Sequence, residues 1–151
     1  MNSSPSKFAR WFLVTLRVAM GLVFIYAAWT KLTQSWIQVA ITVDAYRLLP
    51  EWAVLFVART LPWAELVLGL WLISGKWLRP AASAASALLA AFIVVLARAY
   101  AKGMQIECGC FGSGDPLSAY TLARDGGLLA ASLLLTVMAF RQREQGVAGD
   151  H

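Results

Sequence analysis

Four long apolar stretches, separated by short polar ones, run along this chain. They cover residues 10–30, 52–74, 80–100 and 121–140. Each is close to the ~20 residues that an α-helix needs to cross a ~30 Å hydrocarbon layer. The pattern predicts an all-α protein whose residues 1–151 form a single integral membrane domain, a four-helix transmembrane bundle. Polar Trp29-Thr30-Lys31 follows the first stretch instead of a small-residue cleavage site, so we expect an uncleaved first helix.

A different apolar pattern lies between the first two spans, in residues 34–50. Its apolar side chains recur at helical spacing between polar positions, as Trp36, Val39, Ala40, Val43 and Tyr46. This spacing predicts a short amphipathic helix lying on the bilayer surface. The pattern leaves open whether that helix is a lid over a functional site or an interfacial connector.

The composition supports a membrane location. Hydrophobic residues make up 60% of the chain and charged residues only 14%, whereas soluble domains have roughly half and a quarter. The net charge of +5 is spread among loops and helix ends, without the continuous basic stripe of a nucleic-acid-binding protein. We therefore expect the lipid bilayer, and no nucleic acid, as a partner.

Loop charges predict the orientation. The terminal tails and the second connection hold Lys7, Arg10, Lys76, Arg79, Arg141 and Arg143, whereas the first and third connections hold Lys31, Arg47 and Lys102. Because positive loops stay inside, we expect both termini in the cytoplasm of a bacterial-type inner membrane and the third connection facing the periplasm or the cell exterior. If Arg59, Arg98 and Arg124 near the outer span ends are counted as well, the two sides carry equal numbers of basic residues.

The only two cysteines, Cys108 and Cys110, lie in the third connection, in Glu107-Cys108-Gly109-Cys110-Phe111-Gly112. A disulfide between them closes a small, strained ring, which Gly109 relieves in part. Strained, exposed disulfides are readily reduced. We therefore predict that Cys108 and Cys110 are catalytic residues of thiol–disulfide exchange. A static disulfide would add little stability, because the loop that it closes is so short.

Metal binding is the alternative for the two thiols. Zinc needs three or four protein ligands, and the only histidine, His151, stands at the far end of the chain. Met104 could join two thiolates around Cu(I). The sparse ligand set leads us to expect no metal site.

Charged residues inside the spans are the remaining candidates, because charge in the bilayer is costly and often functional. Arg59, Arg98 and Arg124 lie near the outer span ends and would either stabilise a thiolate or snorkel to headgroups. Asp125 is a candidate partner for Arg124 or Arg98.

Arg17 and Glu65 fall at similar depth when residues are counted from each surface at 1.5 Å per residue. We expect them to form a buried ion pair. The pair would lock the first two spans together, or Glu65 would relay protons.

Three segments resemble the MauE family of DoxX-like membrane proteins. They are Gly21-Leu-Val-Phe24 with Thr30-Lys31-Leu32, Leu61-Pro62-Trp-Ala-Glu65-Leu66-Val-Leu-Gly69, and the cysteine motif followed by Leu122-Ala-Arg124-Asp125. The family often has Arg-Asn where this chain has Arg124-Asp125. The resemblance covers most of the chain and implies a four-helix membrane protein of periplasmic redox chemistry with a thioredoxin-like partner. The family supports maturation of a disulfide-rich subunit of methylamine dehydrogenase.

These observations predict a membrane thiol–disulfide oxidoreductase that exchanges electrons with a periplasmic thioredoxin-fold protein. Quinone is the candidate cofactor, although quinone-linked enzymes of similar architecture generally carry a second cysteine pair. The alternative is a non-catalytic membrane scaffold or assembly subunit for a periplasmic redox enzyme. The sequence leaves the direction of electron flow and the attacking cysteine open.

Overall fold

The structure is a computed structural model that describes residues 7–107 and 116–148, with residues 143–148 described for the backbone alone. Five helices follow one another in this part of the chain: α1 (Lys7–Leu32), α2 (Trp36–Ala45), α3 (Glu51–Ser74), α4 (Leu78–Ala101) and α5 (Ala119–Ala148). Four of them, all except α2, are long and apolar enough to cross a membrane. The predicted all-α, four-helix fold is therefore confirmed, and each long helix extends slightly beyond its predicted span.

Short connections make neighbouring spans antiparallel. The turn between α3 and α4 contains Gly75, whose φ of 73° lies in the left-handed region that glycine adopts without strain. As a result α1 and α4 end, and α3 and α5 begin, at one end of the bundle, which we call the cysteine end because both cysteines belong to the connection between α4 and α5 in the sequence. The α3–α4 turn defines the opposite end.

The predicted short helix between the first two spans is also confirmed, as α2. The side chain of Ser35 caps it by accepting a hydrogen bond from the backbone N–H of Gln38. Its buried residues Val39 and Ala40 pack with Val54 and Ala58 of α3. The helix is thus attached to the cysteine end along the first turns of α3.

The backbones of α1 and α3 approach closely at two glycines. A Cβ atom added to Gly69 would lie 2.7 Å from the carbonyl oxygen of Gly21, and one added to Gly21 would lie 2.8 Å from that of Gly69. No larger side chain fits without separating the backbones, and such close approach is how helices associate in lipid. This glycine contact fixes how far α1 is shifted along α3.

Small residues also pack α4 against its neighbours. Ala81, Ala82 and Ala85 are fully buried, in agreement with the Ala- and Ser-rich sequence of this span. Ser86 Oγ lies 2.8 Å from Ser132 Oγ of α5, so the two hydroxyls hydrogen-bond across the interface. In hydrocarbon such bonds satisfy groups that have no access to water.

We expect Gly69→Ala to lower the free energy of unfolding in mild detergent by about 1–3 kcal/mol, because the added methyl group overpacks the α1–α3 contact. The matched control is Gly127→Ala in α5, where an added Cβ meets nothing within 4 Å. The free energy of unfolding of that variant should equal that of the parent or exceed it by up to about 1 kcal/mol, since alanine favours helix. Equal losses in both variants would contradict the glycine contact.

Candidate functional site at the cysteine end

The two ends of the cysteine-containing connection are held together. Glu107 and Pro116 form an isolated antiparallel bridge, and the N–H of Leu117 donates to the carbonyl oxygen of Ile106 at 2.9 Å. Cys108 and Cys110, the predicted catalytic pair, lie between these positions, outside the described residues. What the structure defines is therefore the base from which the cysteine motif starts.

The base is joined to two helices. The hydroxyl of Tyr46, directly after α2, donates to the carbonyl oxygen of Glu107 at 3.3 Å. On the other side, Thr121 Oγ1 of α5 donates to the carbonyl oxygen of Pro116 at 3.0 Å. The side chain of Ser118 accepts from the N–H of Thr121 and caps the start of α5. Residues just before and just after the cysteine motif are thus anchored to the bundle.

A buried ion pair joins the end of α1 to the middle of α3. Lys31 Nζ of α1 is 3.0 Å and 3.1 Å from the two carboxylate oxygens of Glu65 in α3. The side chains are only 3% and 6% exposed. Lys31 Nζ also donates to the carbonyl oxygen of Ala27 at 3.4 Å. Charges removed from water this completely persist only when they are paired and hydrogen-bonded, as they are here.

This pair replaces the predicted Arg17–Glu65 pair, so that prediction requires correction. The Gly21–Gly69 contact places Glu65 one turn toward the cysteine end and Arg17 one turn toward the opposite end, roughly 12 Å apart along the axis. Helical side chains also lean toward the helix N-terminus, so those of Arg17 and Glu65 lean away from each other. Lys31 and Glu65 lean toward each other by the same rule.

A second charged group is buried in the first turns of α5. Asp125 is 3% exposed, and its Oδ1 lies 3.2 Å from Nε of Arg124. The sequence suggested Arg124 as one of two candidate partners for this carboxylate. Burial of Asp125 itself was not expected, although a charged residue one turn inside an apolar span is the signal that could have indicated it.

The two buried carboxylates border one cavity on the bundle axis. Glu65 and Asp125 line it together with apolar residues of α1, α4 and α5, among them Phe24 and Phe92. Its volume is about 40 Å³, enough for a few water molecules. A cavity of about 150 Å³ binds benzene, so this one is small for a quinone ring.

The three arginines proposed to support a thiolate have different surroundings. The guanidinium carbon of Arg59 lies 4.8 Å from the ring centroid of Trp36 in α2, a cation–π contact. Arg124 is half-buried beside Asp125. Arg98, in the last turn of α4, is exposed and has no hydrogen-bond or ion-pair partner within residues 7–107 and 116–142. All three lie in the half of their helix nearest the cysteine end.

Metal ligands do not cluster in the described part of the chain. No group of three or more His, Cys, Asp or Glu side chains capable of holding a metal ion occurs there. The cysteines and His151 lie outside it, so the sequence expectation about metal stays a prediction.

The fold and the buried charges define a multi-pass helical membrane protein with a buried ion pair and a second buried carboxylate in its helix bundle. A family model described as methylamine utilisation protein MauE matches residues 9–138. The methylamine utilization protein MauE of Paracoccus denitrificans is 36% identical over 126 residues, which cover 82% of this chain and 67% of that protein. No solved structure matches the chain significantly. The chain belongs to the MauE family.

Removing either charge of the Lys31–Glu65 pair should be costly, because the other charge remains buried without a partner. We expect Lys31→Met and Glu65→Leu each to lower the free energy of unfolding by about 3–5 kcal/mol, and the double variant to lose far less than the sum. The parent, the two single variants and the double variant form a double-mutant cycle, and denaturant unfolding followed by tryptophan fluorescence gives the free energy of unfolding of each. The matched cycle of Arg17→Gln with Glu65→Leu should be additive within about 0.5 kcal/mol. Additivity in the Lys31 cycle would refute the pair.

Proposed function

We propose that this protein is a membrane thiol–disulfide oxidoreductase in which Cys108 and Cys110 exchange electrons with a thioredoxin-fold protein. The cysteines face the periplasm or the cell exterior, and both termini lie in the cytoplasm. The observation that carries the proposal is the anchored base of the cysteine motif, which joins the Glu107–Pro116 bridge to both α2 and α5.

An anchored base suits an exchange site better than an unattached loop would. Tyr46 holds Glu107 by a hydrogen bond, and Cys108 is the next residue in the sequence. Because consecutive Cα atoms are 3.8 Å apart, the motif begins close to this anchored position. Disulfide exchange requires attack on one chosen sulfur from a defined direction. A fixed starting point for the motif limits the directions from which a partner can approach it.

Electrostatics at the cysteine end also supports the proposal. The nucleophile in exchange is the thiolate, which is favoured by nearby positive charge and by helix N-termini. The N-terminus of α5 lies at this end, three residues after the bridge at Pro116, and carries the positive end of the helix dipole. Arg98 adds an exposed charge in the last turn of α4. Arg59 is already in contact with Trp36, so it is the weakest of the three candidates.

The exchange itself involves only sulfur and protons. A thiolate of a reduced partner attacks one sulfur of the Cys108–Cys110 disulfide, and the bond between the two cysteines breaks as a mixed disulfide forms. The second partner thiol then attacks the mixed disulfide. The partner leaves with a disulfide, and Cys108 and Cys110 keep two electrons and two protons. The reverse sequence oxidises this pair and reduces the partner.

Quinone as the final electron acceptor stays a prediction from the sequence. The small axial cavity gives no support for a quinone, and we assign no step to it. The Lys31–Glu65 pair supports the interpretation of Glu65 as a structural residue, because its carboxylate already accepts from Lys31 on both oxygens.

The second candidate is a scaffold that anchors a soluble redox enzyme while its disulfide remains inert. The family description favours involvement in methylamine utilisation, and either candidate function is compatible with that role. Only exchange requires that the two cysteines react with a partner, so covalent capture separates the two.

Single replacement of one cysteine should let the mixed disulfide accumulate in the reverse direction, because this chain then lacks the second thiol that would release the partner in reduced form, and acid quenching stops the partner's own freed thiol from reversing the step. We expect Cys108→Ser or Cys110→Ser, mixed with an oxidised thioredoxin-fold protein, to form a covalent adduct visible on non-reducing gels. One of the two variants should trap more adduct than the other, since the attacking and resolving roles differ.

The double variant Cys108→Ser/Cys110→Ser supplies the baseline, because it leaves the chain without cysteine. Arg98→Gln should slow adduct formation if its charge favours the thiolate, whereas the matched variant Arg59→Gln should not. If neither single variant forms an adduct while the protein stays folded, the scaffold is the better account.

A further inference from the structure

A cleft at the end of the bundle opposite the cysteines has no role in the proposed exchange. It lies between α1, the α3–α4 turn, the start of α4 and the last turns of α5, and its volume is about 540 Å³. Two arginines, Arg17 and Arg79, line it together with Gln142. Its other side chains are apolar, and no acidic residue of the described chain lines it.

Arg17 is held inside this cleft rather than extended into water. Its guanidinium lies against Gly75, where even an added Cβ atom would collide with Nη1. Its Nε atom is buried and has no hydrogen-bond partner among the residues that the structure describes. A guanidinium has five N–H donors and no acceptor, and buried donors in proteins are normally paired. No acceptor of the described chain therefore satisfies Nε, and the other N–H donors of Arg17 remain for an acceptor in the cleft that this side chain lines.

Two further features make that acceptor an anion. The guanidinium carbon of Arg79 lies 5.4 Å from the ring centroid of Phe140, which holds this second charge at the cleft. The helix α4 begins at Leu78, and the backbone N–H groups of Leu78 and Arg79 in its first turn have no acceptor within the helix, whereas Pro80 has no N–H. Two guanidinium groups and this helix N-terminus, with no carboxylate among the described residues that line the cleft, suit a phosphate group.

We propose that this cleft binds the phosphate group of an anionic phospholipid. Arg17 is level with the α3–α4 turn, which ends two of the spans, so the site lies at the depth of lipid headgroups. The apolar side chains of Leu13, Trp77 and Ala139 around it suit the glycerol and upper acyl carbons of a lipid more than a freely dissolved phosphate ion. Basic pockets between transmembrane helices bind such headgroups in general.

Native mass spectrometry of the purified full chain tests the proposal. The protein is released from detergent micelles that contain equal amounts of phosphatidylglycerol and phosphatidylcholine with the same acyl chains. The parent should retain phosphatidylglycerol in preference to phosphatidylcholine. Arg17→Gln and Arg79→Gln should each reduce that preference about fivefold, the factor expected for one basic residue at a membrane surface.

The matched control is Arg10→Gln, which removes the same charge from the same end of α1 but lies outside the cleft. It should keep the preference of the parent. An equal preference in all four proteins would overturn the site. If Arg17→Gln fails to fold, as judged by circular dichroism, Arg79→Gln carries the same comparison.

Inorganic phosphate at millimolar concentration distinguishes the two sources of the anion. It should leave the bound phosphatidylglycerol in place. Complete displacement of the lipid by phosphate, in the parent but not in Arg79→Gln, would overturn the lipid assignment in favour of free phosphate.

Discussion

The backbones of α1 and α3 touch at Gly21 and Gly69, and the position of this contact decides where the charged side chains of both helices lie. At the distances found there, neither glycine can carry a Cβ atom. Toward the cysteine end, the contact brings Lys31 to Glu65. Toward the opposite end, it brings Arg17 to the α3–α4 turn at Gly75. This single close contact thus keeps Arg17 and Glu65 apart, although a different shift of α1 along α3 would have brought them together.

The two ends of the bundle consequently differ in chemistry. From the middle of the bundle to the cysteine end, the buried charges are compensated: Lys31 by Glu65, and Asp125 by Arg124. The cysteine motif starts at that end from a base that is bonded to Tyr46 and Thr121. At the opposite end, Arg17 and Arg79 face a cleft without a described carboxylate. Compensated charge suits a stable support for the cysteine motif and for the exchange that we propose there, and charge without a described acidic partner at the opposite end suits the proposed lipid headgroup.

Much of the fold could be predicted from the sequence, because each span is a long apolar run and lipid admits few alternatives to a helix. The short helix α2 was equally accessible through the spacing of Trp36, Val39 and Val43. The partner of Glu65 was not, because counting residues from each surface gives depth but neither the offset between helices nor the direction of a side chain. The lean of helical side chains toward the N-terminus, applied to Lys31, is the signal that identifies the pair. The predicted reactivity of Cys108 and Cys110 rests on their spacing and position in the sequence alone.

Labelling of Cys108 and Cys110 with a membrane-impermeant maleimide, across a series of redox potentials in intact spheroplasts, tests the central claim most directly. Because the chain contains no other cysteine, the double serine variant gives the background. We expect labelling from outside only after reduction, with a reversible two-electron transition in which the ratio of thiol to disulfide changes tenfold per roughly 30 mV. Labelling that requires permeabilised cells, or that never changes with potential, would contradict an outward-facing exchange site.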